Sequence, residues 1–286
     1  MGASVRGFWR EAKPYQRLCY VTGAALMVLG LLHLVGFVVL GGPWVGPVAW
    51  RKPFSFGLSF GLTTMTVAWI GTYLPMPRWV GWLLFGPLAV ANTLEVLWVT
   101  VQRARGRLSH FNMRSPLDET LFMAAAAAIA VTVVVIAVLT VLAFARIDAP
   151  PSMASGIRGG LVALIFAMAV GVLMIGVGIA AVDAGRPPVM TFGEAGSLKV
   201  PHAAGMHGIQ VLPGLAWLLS FTTLPGRRQQ RLVRAACAGY LGIVLVSAVQ
   251  TFGGLAPWDL RLGTGALLLA SLLLLAVPVV SAIRDA

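Results

Sequence analysis

The stretch Gly263-Thr-Gly-Ala-Leu-Leu-Leu-Ala-Ser-Leu-Leu-Leu-Leu-Ala-Val-Pro-Val-Val280 carries no ionisable and no amide side chain. A run of about twenty such residues is what an α-helix needs to cross about 30 Å of hydrocarbon. Lipid offers no partner to an unpaired backbone group, so the crossing segment must bond internally as a helix. This run reads as a spanning helix at the lipid-facing periphery.

Seven further apolar runs of similar length precede it, some with a few polar residues, and the spans are expected near 18–41, 54–75, 79–101, 118–144, 159–182, 202–224, 232–253 and 262–283. Hydrophobic residues make up 58% of the chain and charged residues 10%, where soluble domains hold roughly 45–50% and 25%. The predicted fold is an all-α, polytopic transmembrane bundle of about eight spans forming a single domain over 1–286. An even count puts both termini on one side. Pro75 to Pro77 leave room only for a tight hairpin between the second and third spans.

The net charge of +12 comes from basic residues in short connectors, which suits anionic headgroups and excludes a nucleic-acid-binding domain. Cys19 and Cys237 show neither metal nor redox spacing and imply no disulfide framework. The first apolar run exceeds a signal-peptide core and is followed by Gly41-Gly42-Pro43-Trp44, so it is expected to stay as a span.

Positive residues favour the cytoplasmic side. The terminal side would hold Arg6, Arg10, Lys13, Arg17, Arg78, Arg146, Arg158, Arg227, Arg228, Arg231, Arg234 and Arg284. The opposite side would hold Arg51, Lys52, Arg103, Arg105, Arg107, Arg114, Arg186, Lys199 and Arg261. The bias predicts cytoplasmic termini in a plasma-membrane, multi-pass protein. Nine basic groups are nevertheless more than an outer face normally keeps, which points to function there.

Intramembrane ionisable groups are costly and mark sites, pathways or paired structural charges. His33 falls in the outer part of the first span. Glu95 falls in the outer part of the third, with Asn92 and Gln102 on the same helical face. His110 lies in the loop that follows, His202 opens the sixth span, and His207 with Gln210 lies one turn deeper. Gln250 and Thr251 close the seventh span. By span counting, all four histidines share the side opposite the termini, and the other half is almost dry.

Loop 102–116 can clamp an anion, because guanidinium forks match carboxylate and phosphate. Part of the loop has a structural reading: Ser115-Pro116-Leu117-Asp118 is helix-start grammar, so Asp118 and Glu119 read first as partners of the helix dipole. Trp50-Arg51-Lys52-Pro53 opens the second span as an interfacial anchor or an anion site. Ser55, Ser59, Thr63 and Thr66 form a hydroxyl stripe that either lines a polar cavity or bonds its own backbone. Gly57 and Gly61 in the second span, Ala124 to Ala128 in the fourth and Gly171, Gly176 and Gly178 in the fifth read as close-packing positions.

His202-Ala-Ala-Gly-Met-His207 places its histidines five residues apart, about 140° around a helix, so they are no i, i+4 metal pair. Gly205 and Gly208 leave room beside His207 for a helix or a flat ligand, and Pro213 is expected to free a carbonyl and kink the span. Trp-Arg-Lys-Pro before one span, Ser109-His110-Phe111-Asn112 before another and His-x-x-Gly-x-His opening a third together resemble a family of bacterial polytopic membrane proteins. The resemblance covers most of the chain and implies the polytopic fold, without an activity or residue roles.

Three functional readings follow. In the first and favoured one, a membrane oxidoreductase or metal-dependent enzyme, some of His33, His202 and His207 bind haem or a transition-metal ion with Glu95 as ligand or proton acceptor, and Glu95, His207 and His110 are the catalytic set. In the second, a metal-free enzyme acts on a lipid, an isoprenoid or another anionic small molecule. Arg51, Lys52, Arg103, Arg105, Arg107 and Lys199 hold the head while Glu95 and His207 exchange protons. Asn92, Asn112 and Gln210 complete the candidate cofactor-binding residues. In the third, a transporter, polar groups should continue through the midplane; the dry terminal half ranks it last.

Overall fold

The computed structural model describes residues 5–113, 115–188 and 190–285. Arg114, expected among the outer basic residues, and the Arg6 side chain lie outside the described set. The fold is all-α apart from one two-residue hairpin, and the chain divides into two compact units, Met1–Leu139 and Thr140–Ala286.

The first unit contains α1 (Val5–Glu11), α2 (Pro14–Leu40), α3 (Arg51–Ile70), α4 (Arg78–Ala104) and most of α5 (Pro116–Arg146). Proline at the first position starts α2, and Gln16 Oε1 accepts the Lys13 backbone N–H at 2.8 Å. Gly41 and Gly42 stop the helix at φ +66° and +102°, a region open to glycine. α2 and α3 pack glycine to glycine: a Cβ on Gly57 would lie 2.6 Å from Gly30 Cα, and one on Gly30 would lie 2.9 Å from Phe54 O. The α3–α4 turn passes through a 3₁₀ turn, Gly71–Tyr73, before α4 starts at Arg78. Tyr15 stacks on Phe85 at 5.2 Å over the space that Gly81 leaves open.

The second unit holds the end of α5, then α6 (Pro151–Asp183), the strands β1 (Thr191–Phe192) and β2 (Gly196–Ser197), α7 (Lys199–Leu219), α8 (Gly226–Phe252) and α9 (Leu262–Arg284). Gly156 and Gly160 of α6 face Leu212 and Gly208 of α7, where added Cβ atoms would meet carbonyl oxygens at 2.7 and 2.9 Å. Gly171 lies against His202, whereas Gly176 has nothing within 4 Å. Pro213 sits inside α7, which continues to Leu219.

Several helices outrun their apolar runs. α6 begins at Pro151, eight residues before the expected span, because Arg158 finds partners: its guanidinium donates to the carbonyls of Ala143 and Phe144. α8 starts at Gly226, so its arginines are helical.

Seven helices among the described residues are long and apolar enough to cross a membrane. The expected sixth span, α7, is not among the seven. At 21 residues it is about 30 Å long, and it lies against α6, α8 and α9, burying Gly205, Gly208, Ile209, Leu212 and Leu215. A helix shielded by neighbours tolerates polar residues that a lipid-facing one does not.

Candidate functional site

The site forms at the end of the first unit where α2 ends, α3 begins and α4 ends. Trp50 ties the three helices together: its indole N–H donates to Gly41 O at 2.9 Å, its ring faces His33 at 6.2 Å, and the Arg103 guanidinium stacks over it at 3.9 Å. Cation–π contact of this kind suits Arg at an interfacial ring.

The loop after α4 turns back into the unit instead of running out into solvent. Gly106 adopts φ +65° and Phe111 φ +57°, a left-handed conformation costly for a residue with a side chain. Surrounding bonds hold it. The Trp98 indole N–H donates to Ser109 O at 2.6 Å, and Gln102 Nε2 donates to Leu108 O at 3.1 Å and to Asp118 Oδ1 at 3.2 Å. Arg105 pairs with Asp118 at 2.9 Å, and Phe111 packs on Phe122 at 5.3 Å. Asp118 in turn accepts from Ser115 Oγ, whose oxygen caps the Asp118 N–H at 3.2 Å. The helix-start grammar of Ser115 to Asp118 thus becomes the clasp that closes the loop.

The returning loop delivers His110 to Glu95. His110 Nε2 lies 3.0 Å from Glu95 Oε1; the carboxylate is 1% exposed. On the other side of the ring, Lys52 Nζ lies 3.0 Å from Nδ1, and Ser109 Oγ lies 3.1 Å from the same nitrogen. An ammonium can only donate, so Nδ1 accepts from Lys52 and Nε2–H donates to Glu95. Phe56 closes over the ring edge at 5.6 Å. Burial first, then the adjacent Lys52 cation, pushes the His110 imidazole below its ordinary value, while the bond and charge of Glu95 oppose them. The imidazole therefore rests neutral between Lys52 and Glu95. Glu95 Oε2 is buried without a hydrogen-bond partner among the described residues, and such groups call for explanation.

The remaining expected site residues are distributed as follows. Asn92, one turn below Glu95, donates to Thr64 Oγ1 at 2.8 Å and accepts from Thr132 Oγ1 at 3.0 Å, joining α3, α4 and α5. Asn112 is buried in the returning loop. Arg51 and Arg107 are exposed. Arg103, Arg107 and Ser109 border, with Lys52, a hollow of about 10 Å³, which holds about one water. A larger cavity of about 320 Å³, lined by Lys13, Pro14, Met76 and Arg78, lies at the other end of the unit, away from Glu95. Ser55 and Thr66 of the hydroxyl stripe bond their own backbone, at Arg51 O and Leu62 O. Gln16, fully buried and bonded to Ala68 O at 2.8 Å, is a polar group in the half expected to be dry.

His33 is engaged locally, Nδ1 donating to Leu29 O at 2.7 Å. His202 and His207 belong to the second unit. His202 Nδ1 donates to Ala167 O at 2.8 Å, and His207, Lys199 and the half-buried Gln210 occupy α7 with His207 and Lys199 exposed. Among the described residues, no group of three or more His, Cys, Asp or Glu side chains is placed to hold a metal ion. In His110 both ring nitrogens are already engaged, so a metal could bind there only by breaking one of those bonds.

The sequence groups Glu95 with His207 and His110 as a catalytic set and puts Lys52 among the anion-binding residues; the contacts join Glu95, His110 and Lys52, while His207 lies in the second unit. Sequence reasoning missed Trp98, Ser109 and the Gln102–Asp118–Arg105 clasp. The Gln102 to Asp118 spacing crosses a loop, where helical periodicity carries no information.

These features define a polytopic helical membrane protein with a buried carboxylate wired to an interfacial lysine through a histidine. No family model and no solved structure matches the sequence. The chain is similar to an H-type subunit of NADH-quinone oxidoreductase from two strains of Cereibacter sphaeroides, 31% identical over 105 residues, covering 35% of this chain and 32% of the relative. The protein of the same name from Rhodopseudomonas palustris is 32% identical over 110 residues, covering 35% and 33%. The chain thus matches about a third of the length of these bacterial relatives.

Proposed function

We propose that this protein is a proton-handling component of a quinone-linked oxidoreductase in the bacterial plasma membrane, with Lys52, His110 and Glu95 as the proton line. The carrying observation is the pair of 3.0 Å contacts on opposite nitrogens of one imidazole. A proton passed from Lys52 Nζ to Nδ1, with the Nε2 proton passed on to Glu95 Oε1, leaves a neutral amine, the other imidazole tautomer and a protonated carboxyl. No charge is left stranded, which in a low-dielectric setting is the least costly route. Rotation of the protonated Glu95 carboxyl then swings its O–H from His110 to the side held by Oε2, where it meets the reacting oxygen of a quinone, and after delivery the imidazole returns to its starting tautomer before the next proton passes. Two electrons from an external donor and two protons convert quinone to quinol, and the line supplies protons one at a time while Lys52 is recharged from the interface.

The partial similarity to proteins named for quinone chemistry supports the substrate class. The narrow hollow beside Lys52 fits a proton route more readily than a preformed substrate pocket, so the quinone head enters only as the returning loop gives way. The reading uses no metal and no haem.

The test is quinone retention. Wild-type protein extracted in mild detergent should carry near-stoichiometric isoprenoid quinone, quantified by solvent extraction. Glu95→Gln and His110→Ala should each retain at least about tenfold less, the loss expected when one charge-assisted bond is removed, while still eluting as folded protein. Quinone-free wild type, or equal retention in both variants, defeats the proposal.

A further inference from the structure

We infer that the start of α8 is a binding face for anionic phospholipid headgroups, independent of the Glu95 site. Arg227, Arg228, Arg231 and Arg234 are all exposed and helical. At 100° per residue they fall within an arc of about 120°, along about 10 Å of helix. The turn before α8 adds a fifth cation: Thr223 N–H donates to Asp285 O at 3.3 Å, bringing the end of α9, with exposed Arg284, beside it.

Three observations point to phospholipid. The placement is electrostatically adverse within the chain itself. Arginines four and three apart repel, they crowd the positive end of the helix dipole, and α8 has no acidic residue in its first turn. Neither Asp148 nor Asp285, the acids at this end of the unit, forms an ion pair with them among the described residues. A cluster that repels itself is retained where an external anion offsets the repulsion.

Second, the depth is right. α8 has 27 residues, about 40 Å of helix, against about 30 Å of hydrocarbon. The surplus of about 10 Å equals the arginine segment, which therefore stands in the headgroup layer. Third, the neighbouring surface is interfacial: Phe221, 45% exposed, sits edge-on to Trp217 at 5.0 Å just before the arginines, as aromatic residues do at headgroup level. The phosphodiester suits guanidinium forks, and its acyl chains lie along the apolar faces of α8 and α9, where Leu245, Leu269, Leu272 and Leu273 are exposed.

The full chain in neutral detergent is titrated with phosphatidylglycerol, phosphatidylcholine or inorganic phosphate while thermal unfolding is followed. Phosphatidylglycerol should raise the melting temperature saturably, and the other two should not. Arg227→Gln/Arg231→Gln/Arg234→Gln should raise the half-saturating phosphatidylglycerol concentration more than tenfold, each interfacial arginine contributing about fivefold. About 0.5 M NaCl should do likewise in the wild type, a reading that needs no variant. An equal response to phosphatidylcholine makes the contact merely apolar, and an equal response to inorganic phosphate makes it a free-anion site. Either result, or a triple variant or salt series indistinguishable from wild type, overturns the inference.

Discussion

His110 uses its two ring nitrogens in opposite senses, one accepting from a cation and one donating to a carboxylate, and that asymmetry fixes what Lys52 must do. Besides the proton delivery proposed for it, the ammonium disfavours the imidazolium. Lys52→Met, which keeps the stem and removes the charge, should therefore move the His110 titration midpoint upward, read by nitrogen-15 NMR of labelled histidine. A midpoint that stays put or moves down contradicts the assigned cause. The linkage sign follows from the lowered value. Above the ordinary imidazole range, about pH 6.5, neutral His110 carries no penalty. As the pH falls through that range the unfolded ring takes up a proton that the folded one resists, so stability declines toward the lowered folded value. The variant should show a shallower acid decline. Glu95 and His110 could each be singled out in the sequence as titratable groups near a membrane face. Their membership of one catalytic set was legible too, but their direct contact was not, because it depends on Phe111 at φ +57° and on Trp98 gripping Ser109, neither of which leaves a periodic trace.

Between α2 and α3, glycines set how closely the backbones meet. The Gly57-x-x-x-Gly61 spacing was legible as a packing motif; its partners Gly23 and Gly30 were not, since spacing within one helix says nothing of which face of another it meets. Gly57→Ala puts a methyl 2.6 Å from Gly30 Cα and 2.7 Å from Leu26 O. Backbone cannot rotate aside as a side chain can, so the helices must separate. Overpacking of this kind costs about 1–3 kcal/mol, more than the gain of up to about 1 kcal/mol from replacing a helical glycine. The expected result is a lowered melting temperature in detergent. Gly176→Ala is the control: its Cβ meets nothing within 4 Å, so only the propensity gain remains and melting should hold or rise. Gly176 was expected to pack; in α6 that role falls to Gly156 and Gly160. If both variants melt alike, glycine packing does not set the α2–α3 distance. The same limit applies at helix ends. Apolar runs located the helices, yet Arg158 extends α6 beyond its run because neighbouring carbonyls accept its guanidinium.

For the whole molecule, the open quantity is the number of crossings, and α7 decides it. Seven helices qualify by length and composition, which alone would put the termini on opposite sides. α7 falls outside the seven because Lys199, His202, His207 and Gln210 dilute it. Composition, however, measures what lipid tolerates, and α7 meets neighbouring helices along its buried face: Gly205 approaches Ala163 O, and Tyr240 of α8 donates to Ala204 O at 2.8 Å. Its length of about 30 Å matches the hydrocarbon, and the turns at both its ends return the chain to α6 and α8. Packed along two long apolar helices, a helix of that length is expected to cross with them. Reporter domains fused before residue 1 and after residue 286 should therefore report the same side, and fusion in the turn at Ser220 to Leu224 should agree with both. A fusion near Asp183 to Gly193, before α7, should report the opposite side. Termini on opposite sides, or agreement between fusions flanking α7, would mean that α7 does not cross and that His202 and His207 are not held at the depth a spanning helix gives them.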